Sequence, residues 1–359
     1  MDVSMRRVLV QNVEQGSVLA DDLFDSRGAL MIAKGTRLTE QYLARLLAGG
    51  VAEILIEDPL LADVESRPVL SSRTRQMGLI VFSHLADQIK RARESSPKAV
   101  VTPTGLAPYV KNLMDDLTEQ NPVRFDPVVV ADADYLPGHA LNVSGLAACM
   151  ALNSQYRNLA PDLAQAGLLA DLGMVTVADI AQRPQESWTE AEAAAVKAHP
   201  KVSLQLMDRS FSAHVKAAVS GHHERMDGSG YPEGRRGEDI HPVARLLAVA
   251  DTYMALIVDR PYRPRMLPHE ALELVMSMAG EELDLAMVEL LLRTVSPFPP
   301  GVSVMLSSGR RAVVVRNGVI PTRPVVRIMS DPEGGPLLVD LDLSQPEHQT
   351  EMITEVLYD

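Results

Sequence analysis

The chain has 359 residues, 46% of them hydrophobic and 23% charged, the composition of a soluble globular protein. Its length suggests about two or three domains. A net charge of −13 argues against a duplex nucleic-acid surface, which needs clustered Lys and Arg, but leaves room for one anionic ligand in a local pocket. The single cysteine, Cys149, rules out an intrachain disulfide and every zinc-ribbon pattern. Met1 to Val10 has no apolar signal core, and no apolar run reaches the ~18 residues of a membrane helix, so a cytoplasmic protein that does not enter a membrane is expected.

In chain order, "RRVLV" and "AEILIED" have strand character, and "SRGALMIAKGT" suggests a hairpin turned at Arg27-Gly28. Between them "LTEQYLARLLAGG" predicts a helix capped by Thr39, with Leu43, Leu46 and Leu47 on its apolar face and Gly49-Gly50 at its end. This segment, 1–66, is expected to be a small α+β unit. A helical connector is expected over 67–125, with helices from about Ser71 to Ser96 and from Pro108 to Glu119, punctuated by Pro97, Pro103 and Pro122. Over 126–296 the apolar positions recur at helical spacing in "HALNVSGLAACMALN", "LAQAGLLADLGM", "EAEAAAVKAHPKVSLQLMD", "SAHVKAAVSGHH", "VARLLAVADTYMALIVD" and "HEALELVMSMAG". Several of these are apolar nearly all round, as central bundle helices are. After Pro297 short apolar runs broken by Gly, Pro and Asn predict a β-rich appendage over 297–359. The fold class is therefore mainly α, a helical bundle flanked by a small α+β unit and a β-rich appendage.

The polar residues inside the apolar helices carry the chemistry. Burying an imidazole or a carboxylate is costly unless it is paired or bound to a metal. Asp171 and Asp251 both have apolar neighbours on either side, His139 opens one helix, His199 precedes Pro200, and His222 and His223 end another helix. Side chains from separate helices can converge on a metal in a bundle core, and imidazole with carboxylate suits Fe, Mn, Zn, Ni or Co better than Ca or Mg. The alternative for each is a surface histidine, or an aspartate that caps a neighbouring helix. His84, His214, His241, His269 and His348 lack such a context and read as surface residues or supports behind a site.

The run "HHERMDGSGYPEG" resembles the signature of the HD-GYP family, a branch of the HD phosphohydrolases. The match comprises His222-His223-Glu224, Asp227-Gly228 and Gly230-Tyr231-Pro232, followed by "ARLLAVADTYMALIVDRPYR" and preceded, in family order, by "HALNV" and "AHP". It covers about Asp132 to Thr294. The resemblance implies an HD-type helical bundle that hydrolyses cyclic di-GMP with metal-activated water. It places one metal on His199, His222 and His223, with Asp171 bridging to a second held by His139, Asp171 and Asp251. It makes Asp171 the catalytic carboxylate. It sets Tyr231, Arg260 and Arg263 against the nucleotide, and gives Asp227, Gly228, Gly230 and Pro232 the shaping of the loop. The implied cofactor is a divalent transition metal, Fe or Mn, as one or two ions. A protein partner at the loop and a homodimer are both open.

Three positions depart from the family pattern. The histidine of the HD pair is Ala170, which weakens the second metal position; the lysine three residues after the aspartate is Met174; and a second aspartate after Asp251 is replaced by Met254. The glutamate that supplies a third metal in some members falls at Tyr135. Two readings follow. One is a metal-dependent cyclic di-GMP phosphodiesterase of reduced activity. The other is a degenerate member that binds metal, nucleotide or a protein and serves as receptor or scaffold.

Overall fold

The structure is a computed structural model that describes residues 5–64, 68–95, 101–119, 124–130, 134–258, 265–330 and 336–357. Its N-terminal part contains β1 (Met5–Leu9), β2 (Leu23–Phe24), β3 (Leu30–Ile32), α1 (Glu40–Ala48) and β4 (Glu53–Glu57). Strands β1 and β4 pair antiparallel, and β2 and β3 form the expected hairpin. Thr39 caps α1 by accepting from the Tyr42 amide. The apolar face of α1 is narrower than its sequence suggests, since Leu46 is buried while Leu47 is half exposed.

The helical part comprises α2 (Ser72–Ser95), α3 (Pro103–Thr118), α4 (Tyr135–Leu152), α5 (Ala160–Leu169), α6 (Ala178–Ala181), α7 (Glu190–Lys197), α8 (His199–Gln205), α9 (Ala213–Gly221), α10 (Pro242–Ile257), α11 (Pro268–Ser277) and α12 (Leu285–Thr294). Helix α4 is its axis, buried at every position from Leu136 to Leu152, which is why that stretch reads as apolar all round. Helices α2 and α3 do more than connect: Leu79, Phe82, Tyr109 and Leu113 belong to the same core as α4 and α10. Helix α3 starts at Pro103, five residues before the expected start, because proline is well suited to the first helical turn. Pro97 and Pro122 lie outside the described residues. The stretch Arg157–Ala181 is apolar enough to cross a membrane by length and composition, but it is built of α5 and short tight turns, and 61% of its apolar window is buried in the protein. It is core.

The C-terminal part is an antiparallel sheet of β5 (Ser303–Leu306), β6 (Arg311–Arg316), β7 (Val325–Ser330), β8 (Pro336–Asp342) and β9 (Ile353–Leu357), in spatial order β8-β7-β6-β5-β9. The result is a mainly α protein with a β appendage, as the sequence predicts.

The N-terminal unit is joined to the bundle by buried charge. Arg7 reaches Glu53 at 2.5 Å and Asp126 at 2.6 Å, while Arg265, just before α11, reaches the other Glu53 oxygen at 2.6 Å. Burial raises the Glu53 pKa, but the two guanidiniums outweigh it and hold the carboxyl below its usual range. A carboxylate lowered on folding adds stability above its unfolded pKa and loses it as pH falls. Glu53→Gln is expected to cost about 3–5 kcal/mol at neutral pH, since it leaves two buried cations short of a partner. Urea unfolding of both proteins across pH checks this, and the gap between them should shrink on acidification.

Candidate metal centre

Asp171 sits where the chain changes pitch. Helix α5 ends at Leu169, and Leu172–Val177 continues as a 3-10 helix, so the helix expected through "LLADLGM" stops just before the aspartate. Ser203 of α8 fixes this kink. Its hydroxyl donates to the Ala170 carbonyl at 2.8 Å and accepts from the Gly173 amide at 2.8 Å. Gly173 is required by this contact, because a Cβ there would lie 2.3 Å from the His199 carbonyl.

The helix expected over "EAEAAAVKAHPKVSLQLMD" is two helices, broken at Ala198. Pro200 has no N–H to give the Val196 carbonyl four residues back. His199 takes that carbonyl instead, with Nδ1 at 2.8 Å, and thereby turns Nε2 toward Asp171. His222 repeats the device at the end of α9, with Nδ1 2.8 Å from the Val219 carbonyl. His139 lies in the second turn of α4 and not at its start, the helix beginning four residues earlier at Tyr135. Asp251 projects from the middle of α10.

These elements bring all six sequence-predicted ligands together. His199 Nε2 and His222 Nε2 are 3.0 and 3.6 Å from Asp171 Oδ1, and 3.3 Å from each other. His139 Nε2 is 3.4 Å from Asp171 Oδ2 and 2.9 Å from Asp251 Oδ1, and His223 Nδ1 is 3.9 Å from Asp251 Oδ2. Two groups of donor atoms that could hold a metal ion result: Asp171, His199, His222 and His223, and His139, Asp171 and Asp251, each within 4.8 Å. Asp171 belongs to both.

The donor set fits a cation. With Nδ1 donating to a carbonyl, each of His199 and His222 points an Nε2 lone pair at the other and at a carboxylate oxygen, an arrangement that needs a proton or a metal between its members. Burial lowers the His139 pKa, but the hydrogen bonds to Asp171 and Asp251 override it and raise it to about 9. Burial likewise lowers His223, and the positive field of His222 and His199 lowers it further. Both aspartates are pushed up by burial and pulled down more strongly by the imidazoles, Asp171 well below its ordinary value. The two groups are not equally built. His139 Nδ1 is buried with no hydrogen-bond partner among the described residues, whereas His199 and His222 each have a carbonyl behind them. Ala170, 2% exposed, offers the second group no donor.

The loop after the histidines covers one side of the centre. Glu224 is buried, and its two oxygens accept from the Glu233 and Arg235 amides at 2.9 Å each. Gly230 threads beneath: a Cβ there would lie 2.4 Å from the His223 carbonyl. Asp227 Oδ1 accepts from the Ser229 amide, Gly228 has a positive φ of 81°, and Tyr231-Pro232 is cis. The Tyr231 ring lies 4.6 Å from that of His223 between centroids, with Lys197 Nζ 6.0 Å from the Tyr231 centroid. Sequence reasoning missed Ser203, the Val196 carbonyl, the stapling role of Glu224 and Lys197. Only Glu224 carried a signal, its place inside the motif.

Arg260 and Arg263 lie outside the described residues. His241 caps α10, His214 approaches Asp162 at 3.7 Å, His84 meets Gln88, and His269 stacks on Phe298. His348 lies in a short turn before β9. None of these five histidines joins the centre.

A protein-family profile, the HD domain, matches residues 111–287. The chain is 34% identical over 185 residues to a cyclic di-GMP phosphodiesterase of Pseudomonas aeruginosa, covering 51% of this chain and 44% of that protein. It is 32% identical over 302 residues to a cyclic di-GMP phosphodiesterase of Vibrio cholerae serotype O1, covering 77% and 59%. A 3'3'-cGAMP-specific phosphodiesterase of the same organism is 32% identical over 156 residues, covering 42% and 33%. The chain thus spans less than two thirds of each relative's length. Helices, centre and loop agree with these likenesses: residues 111–287 are an HD domain, and its loop is similar to that of the HD-GYP family.

Proposed function

We propose that the protein is a metal-dependent phosphodiesterase that opens cyclic di-GMP. The observation that carries this reading is one carboxylate, Asp171, shared by two groups of ligand atoms. His199, His222, His223 and Asp171 would hold one ion, and His139, Asp171 and Asp251 the other. Iron or manganese is proposed from the mixed imidazole and carboxylate donors. When bound, such ions lower the pKa of water and neutralise charge on a phosphoryl oxygen. The protein's own part is to hold these donors still, to keep His199 and His222 presenting Nε2, and to place the phosphodiester beside them. Tyr231 stands where it can face a base, Lys197 supplies a cation on the same side, and Arg260 and Arg263 are assigned to the phosphates. The printed names of the relatives support cyclic di-GMP first and 3'3'-cGAMP as the competing substrate.

The unequal support of the two groups predicts stepwise loading. Metal titration followed by elemental analysis should show one ion retained through desalting and a second that washes out, and Asp171→Ala should lose both together with turnover. Ala170→His with Met174→Lys should raise the rate; the lysine alone is worth about 10²–10³ if it reaches the phosphate. Binding of cyclic di-GMP by the loaded protein without hydrolysis in Mn(II) or Fe(II) would replace the enzyme with a receptor.

Ser203 acts through Asp171 and not on the substrate. Ser203→Ala should lower metal affinity about 10–100-fold, the usual cost of losing a supporting partner. Circular dichroism should stay close to wild type while the thermal midpoint falls by a few degrees, since two buried backbone groups lose their partner, and Ser203→Thr, which keeps the hydroxyl, should recover most of the affinity.

A further inference from the structure

A cavity of about 640 Å³ separates α11 from the edge of the C-terminal sheet. One wall is a helix face: His269, Leu272, Glu273 and Met276 are spaced i, i+3, i+4 and i+7 along α11. The other wall is chain from Glu351 through Val356, six consecutive residues. Side chains of a strand alternate between its two faces, so a cavity touching every residue in turn lies along the strand's edge. Four of the six, Ile353 to Val356, belong to β9, the last strand in its sheet, whose described ladder runs to β5 alone. The cavity is therefore a slot between an unpaired strand edge and one face of a helix.

Such a slot is shaped for an added strand, with main-chain hydrogen bonds on one side and apolar pockets on the other. Leu272, Leu292, Phe298 and Ile353 make its floor apolar. Its charge is negative. Arg323 is committed to the carbonyls of Leu343, Glu351 and Gln349, and Glu351 to Arg310. Glu273 and Glu355 make no ion pair among the described residues. We infer that this slot binds an extended protein segment, about four to six residues long at ~3.3 Å per residue, with apolar side chains alternating with Lys or Arg. It docks as a sixth strand on β9. The site is separate from the metal centre and does not depend on the activity proposed for it.

The test uses the full chain and a fluorescein-labelled Lys-Val-Lys-Val-Lys-Val peptide, with two controls: the same peptide N-methylated at alternate amides, and a Glu-Val counterpart. Fluorescence anisotropy should show saturable binding of the parent peptide alone. Glu273→Lys with Glu355→Lys should weaken it about tenfold, two charge pairs reversed. Met276 is 51% exposed, so Met276→Arg should leave the thermal midpoint unchanged while blocking the slot. Isotope-edited NMR should show protection of β9 amides on binding. No binding by the parent, equal binding by the N-methylated peptide, or binding untouched by Met276→Arg overturns the inference. Self-association of the protein that Met276→Arg abolishes would give the slot to a second copy and overturn it as well.

Discussion

The bundle is organised around one largely enclosed carboxylate, Asp171. A carboxylate with apolar neighbours on both sides is costly unless cations or donors meet it, and at Asp171 three helices deliver imidazoles to do so. The rest of the architecture serves that meeting. Helix α5 ends one residue early, α7 and α8 are separate helices, α9 stops at its histidine pair, and α10 carries Asp251 into the same space. None of these interruptions would improve a bundle whose only task was to bury leucines.

Much of this was legible in the chain. The spacing of His222, His223, Glu224, Gly228, Gly230 and Tyr231 is local, so sequence alone displays it, and the six candidate ligands could be named from polar residues standing in apolar helices. The helices themselves follow from periodicity. What escaped is what depends on contacts between distant segments. Ser203 is an ordinary serine until its hydroxyl is seen between Ala170 and Gly173. The break at Ala198 was hidden because "EAEAAAVKAHPKVSLQLMD" has unbroken helical spacing, and periodicity does not register a missing N–H. The connector helices looked like spacers because their burial depends on meeting α4 in space, as where Tyr109 donates to Ser144, 35 residues on.

The centre is asymmetric in the same way in sequence and structure. Sequence shows a missing donor at Ala170; structure adds that His139 Nδ1 has no acceptor among the described residues, while His199 and His222 have Val196 and Val219. Both effects fall on the same group of ligands. The loop, by contrast, is fully supported, with Glu224 binding two of its amides and Gly230 passing under His223.

Pro200 belongs to neither group of donor atoms, yet it bears on one of them. Because it brings no amide hydrogen to Val196, that carbonyl is open to the Nδ1 proton of His199, and Nε2 is left as the nitrogen with a free lone pair. His222 reaches the same state against the Val219 carbonyl with no proline after it. The shared cause is a carbonyl three residues back at the end of a helix, so here a local imperfection of the backbone is what makes the side chain chemically specific.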